Sequence, residues 1–140
     1  MGKNYNGVQI NQSATIVEQA GAEVTDIRNR IVKYDENGNV VLATAGSDIP
    51  VGIAIIEAGY NDITGNESGK VKTGDDVDIL IKDIGVVLAG ATIKKGQEVA
   101  AGANGLAAVA ASGNYVLGIA LDNVAANGFL HIQIAKYQKA

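Results

Sequence analysis

The chain has no cysteine and no tryptophan, and only one residue each of proline, histidine, methionine and phenylalanine. Without thiols there are no disulfides, no thiolate nucleophile and no zinc–thiolate centre. The lone imidazole, His131, falls at an alternating position of a predicted strand, where a histidine is ordinarily a surface or interface residue. Basic charge is short as well: 11 Lys and Arg stand against 15 Asp and Glu, a net charge of −4. The cations are scattered, the densest pair being Lys94-Lys95, which argues against nucleic acid as a partner. No stretch approaches 18 uninterrupted apolar residues, and MGKNYNGVQI has no apolar signal core. The expectation is a soluble protein on the cytosolic side, with no membrane partner. The sequons at Asn11 and Asn66 then carry little meaning.

What is present is small and apolar. Of the 140 residues, 47% are hydrophobic, and most of these are Ala, Val, Ile and Leu. A chain this long buries roughly two thirds of its unfolded surface as one domain. Small side chains fill thin spaces, which predicts narrow layers or a small barrel. Eighteen glycines against the single Pro50 predict many tight turns.

One phrase occurs twice. Gln97–Leu121 (QEVAAGANGLAAVAASGNYVLGIAL) follows the same script as Val32–Ile55 (VKYDENGNVVLATAGSDIPVGIAI). Val32 aligns with Val99, Asn37-Gly38 with Asn104-Gly105, and Gly52-Ile53-Ala54 with Gly118-Ile119-Ala120. Internal self-similarity is a statement about fold. Asn-Gly is a strong hairpin signal, because both central residues of a type I′ turn need positive φ.

Around the repeat, residues 1–13 (MGKNYNGVQINQS) lack periodicity and read either as a frayed terminus or as a flexible arm that orders against a partner. In the second case Tyr5, Val8 and Ile10 are its anchors, since an extended segment can add itself to a sheet edge. Ala14–Gln19 and Glu23–Lys33 read as strands, despite helix-compatible spacing of Val24, Ile27 and Ile31, because of Gly21 and the β-branched run. Val51–Ala58, apolar on both faces, reads as a central strand, and Gly59–Gly74 as an exposed loop with a short strand at Lys70–Lys72. Asp76–Lys82, Ile84–Leu88 and Phe129–Lys136 show strand patterning, and Tyr137–Ala140 reads as a polar tail. The whole predicts an all-β small barrel or sandwich of short antiparallel strands, with little or no helix. The β domain spans 14–140, with repeat-like halves around 30–58 and 94–122.

Reactive groupings are weak. Asp75, Asp76 and Asp78, with Asp83, form the best carboxylate cluster, but these acids run straight into a strand without a following glutamate, unlike a calcium loop. A solvated edge or turn cap fits them better. Gly65–Lys70 (GNESGK) is one residue short of a phosphate loop, lacks the Ser or Thr after its lysine and leads into no helix. No catalytic residue, metal ligand or cofactor site is expected, and the chain reads as no enzyme.

The order "KKGQEVAAGANGLAAVA", turn, "YVLGIAL", then "NGFLHIQI", with its earlier copy, resembles the head decoration (capsid cement) proteins of tailed bacteriophages. The resemblance covers about residues 30–136, although the first copy has Arg28-Asn29-Arg30 where the second has its Lys-Gly corner. It implies a β-barrel-like homotrimer that binds the major capsid protein on the outside of an expanded head and clamps neighbouring subunits, often through an N-terminal arm. Another virion piece (spike, tail or fibre domain) and a non-catalytic β-barrel binding module are the alternatives.

Overall fold

The computed structural model describes residues 14–61, 63–64 and 66–140. The segment 1–13, with Tyr5, Val8 and Ile10, lies outside the described residues. Among those described, ten strands follow in order: β1 (Thr15–Gln19), β2 (Ile31–Tyr34), β3 (Val40–Leu42), β4 (Gly52–Ala54), β5 (Asp76–Leu80), β6 (Ile84–Leu88), β7 (Glu98–Ala101), β8 (Ala107–Val109), β9 (Tyr115–Ala120) and β10 (Phe129–Gln138). A single 3-10 turn at Ala103–Gly105 is the only helical element among them. The strands form two five-stranded antiparallel sheets, stacked as a sandwich and not closed into a barrel.

The sheet orders are β1-β5-β4-β2-β3 and β6-β10-β9-β7-β8, the same order shifted by five strands. The hydrogen bonds outside the ladders repeat too. Val24 and Val71 exchange both backbone bonds at 3.0 Å, and Ile93 and Val124 do so at 2.9 Å. The Ala20 N–H donates to the Asp75 carbonyl while its own carbonyl accepts from Gly74; Ala89 does the same with Gly128 and Asn127. The phrase written twice in the sequence is therefore the middle of a larger doubling, in which β1 and β5 correspond to β6 and β10.

This correspondence resolves the Arg28-Asn29-Arg30 corner. Asn29 has φ 58°, matching φ 85° at Gly96, and its N–H donates to Ala54 as the Gly96 N–H does to Ala120. Asparagine tolerates the left-handed region better than most residues. The corner is present in both copies, once as Asn and once as Gly, and it breaks the strand expected over Glu23–Lys33.

Other boundaries also differ from expectation. Only Gly52–Ala54 of the Val51–Ala58 run is strand, because the Ala58 N–H turns back to the Ile55 carbonyl. Lys70–Lys72 reduces to the Val71 bridge. The expected tail is strand: beyond a bulge, Tyr137 and Gln138 pair with Val116 and Tyr115. Of the two Asn-Gly turns in the repeated phrase, 104–105 has positive φ at both residues but 37–38 only at Gly38. There the Asp35 carboxylate accepts the Asn37 and Asn39 amides at 2.8 and 3.0 Å, which keeps Asn37 out of the left-handed region.

Among the described residues no aromatic ring enters the core, and alanine is its commonest residue. One cluster draws on both halves, packing Ile31, Ala43 and Ile53 with Val99, Leu117, Leu130 and Ile132. A second, including Ile27, Val32, Val77 and Ile79, belongs to the first half alone. The halves do not embrace reciprocally. Gly105 is buried, donates to the Ala43 carbonyl at 2.7 Å, and has no room for a Cβ beside the Ile31 carbonyl. Its counterpart Gly38 is exposed, with open space around it.

The doubling supplies an internal control at Asp48. Its carboxylate accepts the Thr44 N–H at 2.8 Å, the Thr44 hydroxyl at 2.9 Å, the Ala45 N–H at 3.1 Å and Lys33 Nζ at 3.0 Å. Burial alone would push this carboxyl up, but the Thr44 amide, Lys33 and the other donors outweigh it and lower it from 3.8 to about 2. At the matching place Asn114 caps Ala111 at 2.9 Å without a charge. A depressed carboxyl stabilises the fold above its unfolded pKa, so this contribution is complete above about pH 4 and fades as pH falls towards 2. Asp48→Asn keeps the cap and loses the ion pair, at an expected cost of about 1 kcal/mol at neutral pH. Urea unfolding between pH 2 and 5 should show a shallower acid slope for the variant; identical slopes would remove Asp48 from the account.

Candidate interaction surfaces

The expected carboxylate cluster is dispersed over structural tasks. Asp75 accepts the Lys72 N–H at 2.8 Å and caps a turn. Asp76 and Asp78 occupy outward positions of β5, opposite Gln19 and Val17 of β1. Asp83, at φ 70°, makes the bend into β6, and its carbonyl accepts the Ile134 N–H at 2.8 Å. Among the described residues no three His, Asp or Glu side chains are placed to hold a metal ion.

His131 Nδ1 lies 2.6 Å from Asp122 Oδ2, which also accepts the His131 N–H at 3.0 Å. The side-chain bond is the main cause holding Asp122 below the usual carboxylate range. Both side chains are open to solvent, and the pair fastens β10 to the chain leaving β9. Lys70, in the segment resembling a phosphate loop, lies 3.7 Å from both Glu23 and Glu67 and leads to the Val71 bridge rather than to a helix.

Two concave surfaces stand out, neither predictable from local sequence. The first is an apolar groove of about 420 Å³ where the halves meet, walled by Ile53, Ile55, Ile56, Leu80, Ile84, Val86 and Phe129. Ile56, Ile84 and Phe129 are each more than half exposed, at 55, 60 and 58%. β6 forms this wall and, among the described strands, pairs only with β10. The Leu88 N–H points away from β10, to the Asn29 carbonyl, so strand alternation turns the Ile84 and Val86 amides the same way. Such an edge is a template for an added strand.

The second is an open cleft of about 870 Å³, lined by Ile16, Ile49, Pro50, Ile81, Ile134, Lys33, Asp48 and Lys136 among others. It joins β1 and the 47–51 loop of the first half to β10 of the second. Lys136 crosses it to donate to the Val51 carbonyl.

Duplicated topology and a thin aliphatic core define the class: a two-sheet β-sandwich built from a doubled unit. The chain belongs to the family described as structural cement protein (E217 gp24/Pam3 gp6), whose model matches residues 1–135. It is a capsid-associated structural protein of phages, as the doubled phrase led us to expect. Among solved structures it is similar to the head fiber gp8.5 N base of bacteriophage phi29, with TM-score 0.64 and 19% identity over 90% of this chain and 97% of that one. That likeness is one of fold. No curated protein sequence matches the chain.

Proposed function

We propose that the protein sits on the exterior of the expanded phage head as a homotrimer. There it clamps neighbouring copies of the major capsid protein and catalyses no reaction. The observation that carries this reading is the family match, which begins at residue 1 and so includes the 1–13 segment in what the family shares. Tyr5, Val8 and Ile10 are the proposed anchors of that arm, entering a sheet edge of the capsid protein. Three arms on one body multiply modest single affinities through effective concentration. Trimer formation would also offset the limited burial that a core of small side chains provides.

Electron microscopy of the parent particle with and without the protein tests the proposal directly. Density on the outer face bridging adjacent shell subunits, present only with the protein, is the expected result, together with a trimeric mass by light scattering. A monomer that leaves the outer surface unchanged would refute it. The fold likeness to a head fiber base favours one other reading, a seat for a projecting fibre. Density rising from the shell well beyond one sandwich would select that reading.

A further inference from the structure

Building on the reading above, we infer that the cleft walled by Ile16, Ile49, Pro50, Ile81 and Ile134 is a docking site for an apolar, acid-bearing segment of the shell protein, one carboxylate of which pairs with Lys136.

The two cations of the cleft are unequally matched. Lys33, the other cation of the cleft, is matched by Asp48 at 3.0 Å. Lys136 takes part in no ion pair among the described residues; its ammonium donates only to the Val51 carbonyl. An ammonium carries three donors, which leaves two for an incoming acceptor. The Lys136 residue as a whole is exposed, yet the protein around its head desolvates it enough to push it below the usual lysine value. Desolvation without a counter-charge is an unfavourable state for the free protein that a bound carboxylate relieves.

The chain's own arm is a poor candidate for this role. Residues 1–13 lead into β1 beside the cleft but contain no Asp or Glu. A polyanion fits badly too, since one available cation cannot neutralise a row of phosphates. The walls are aliphatic instead, with Ile49 65% exposed. An exposed ion pair alone contributes little; enclosed by apolar contacts that exclude water, it gains in strength and specificity. A segment presenting one acid among apolar side chains is therefore the matching occupant.

The test uses the full-length protein and expanded shells assembled without it, with saturation binding read at two salt concentrations. Lys136→Met should weaken binding about tenfold and flatten its salt dependence, while Lys136→Arg stays close to wild type. Ile49→Glu places a competing carboxylate in the cleft at an exposed position and should weaken binding as well. Lys72→Met, on an exposed turn, is the control and should change nothing. Thermal unfolding and light scattering of each free variant accompany the binding data. Wild-type affinity in both Lys136→Met and Ile49→Glu overturns the cleft proposal alone, even if Lys136→Met melts earlier, because the Val51 bond would then be purely structural. A change of oligomeric mass in place of shell affinity also overturns it, by putting a second copy in the cleft. If the wild-type protein fails to bind shells, the proposal and the function it rests on fall together.

Discussion

Replacing Gly118 with alanine is expected to lower stability by about 3 kcal/mol, and Gly52→Ala by a similar amount. A Cβ at Gly118 would lie 2.3 Å from the Gln133 carbonyl oxygen, and one at Gly52 would lie 2.1 Å from that of Leu80. Both obstacles are backbone atoms of a neighbouring strand held in its ladder, so neither can swing aside as a flexible side-chain tip would. Neither glycine has positive φ; the requirement is space. It recurs because β4 pairs with β5 as β9 pairs with β10. Against a total stability of roughly 5–15 kcal/mol, the loss should appear as a melting temperature lower by roughly 10 °C. Gly38→Ala separates the two demands on glycine. There φ is 81° and nothing lies within 4 Å, so only backbone strain, about 1 kcal/mol, is expected. Should Gly118→Ala melt no earlier than Gly38→Ala, the close strand approach is not what fixes the repeated Gly-Ile-Ala.

The second large effect concerns residues 1–13. Their deletion should reduce affinity for expanded shells by about 10²-fold or more, because the proposed trimer would lose three linked contacts at once. Thermal unfolding of the free protein should barely move. Among the described residues the two main core clusters are assembled without the 1–13 segment, and β1 has five pairs with β5. Substituting Tyr5, Val8 and Ile10 together with serine should reproduce most of the deletion. Retained affinity in the triple variant alongside loss in the deletion would shift the anchoring role to the arm's backbone or polar side chains. Retained affinity in both would leave the arm without a part in binding.

Features that depend on nearest neighbours in the chain were legible. Alternation marked Asp76–Lys82 and Phe129–Lys136 as strands, and the doubled phrase marked a repeated unit of the fold. Legibility failed where a residue's conformation answers to something distant. Asn29 is set by Ala54 and Leu88 across the sheet, so RNR looks like ordinary strand. Ile55 and Ile56 made Val51–Ala58 look central, whereas Ile56 forms the wall of an exposed groove. Tyr137 and Gln138 are polar enough to resemble a tail, but a bulge lets the strand continue along β9. The Lys136 cleft had no local signature, since its walls come from five separated parts of the chain. The correspondence of β1 with β6 and β5 with β10 was equally hidden, because it lives in hydrogen bonds and not in side chains.

On the proposed reading the arm, residues 1–13, precedes β1, a strand at the margin of its sheet whose ladder runs from Thr15–Leu80 to Gln19–Asp76. A marginal strand peels off readily when force lifts one end, because the rungs then break one after another. Tension drawn along the strand axis loads all five pairs together, so they must yield as a set. Swelling of a pressurised shell would pull an anchored arm lengthwise. On the clamping reading, a marginal strand thus becomes a shear joint, strong in the one direction in which the clamp would be stretched.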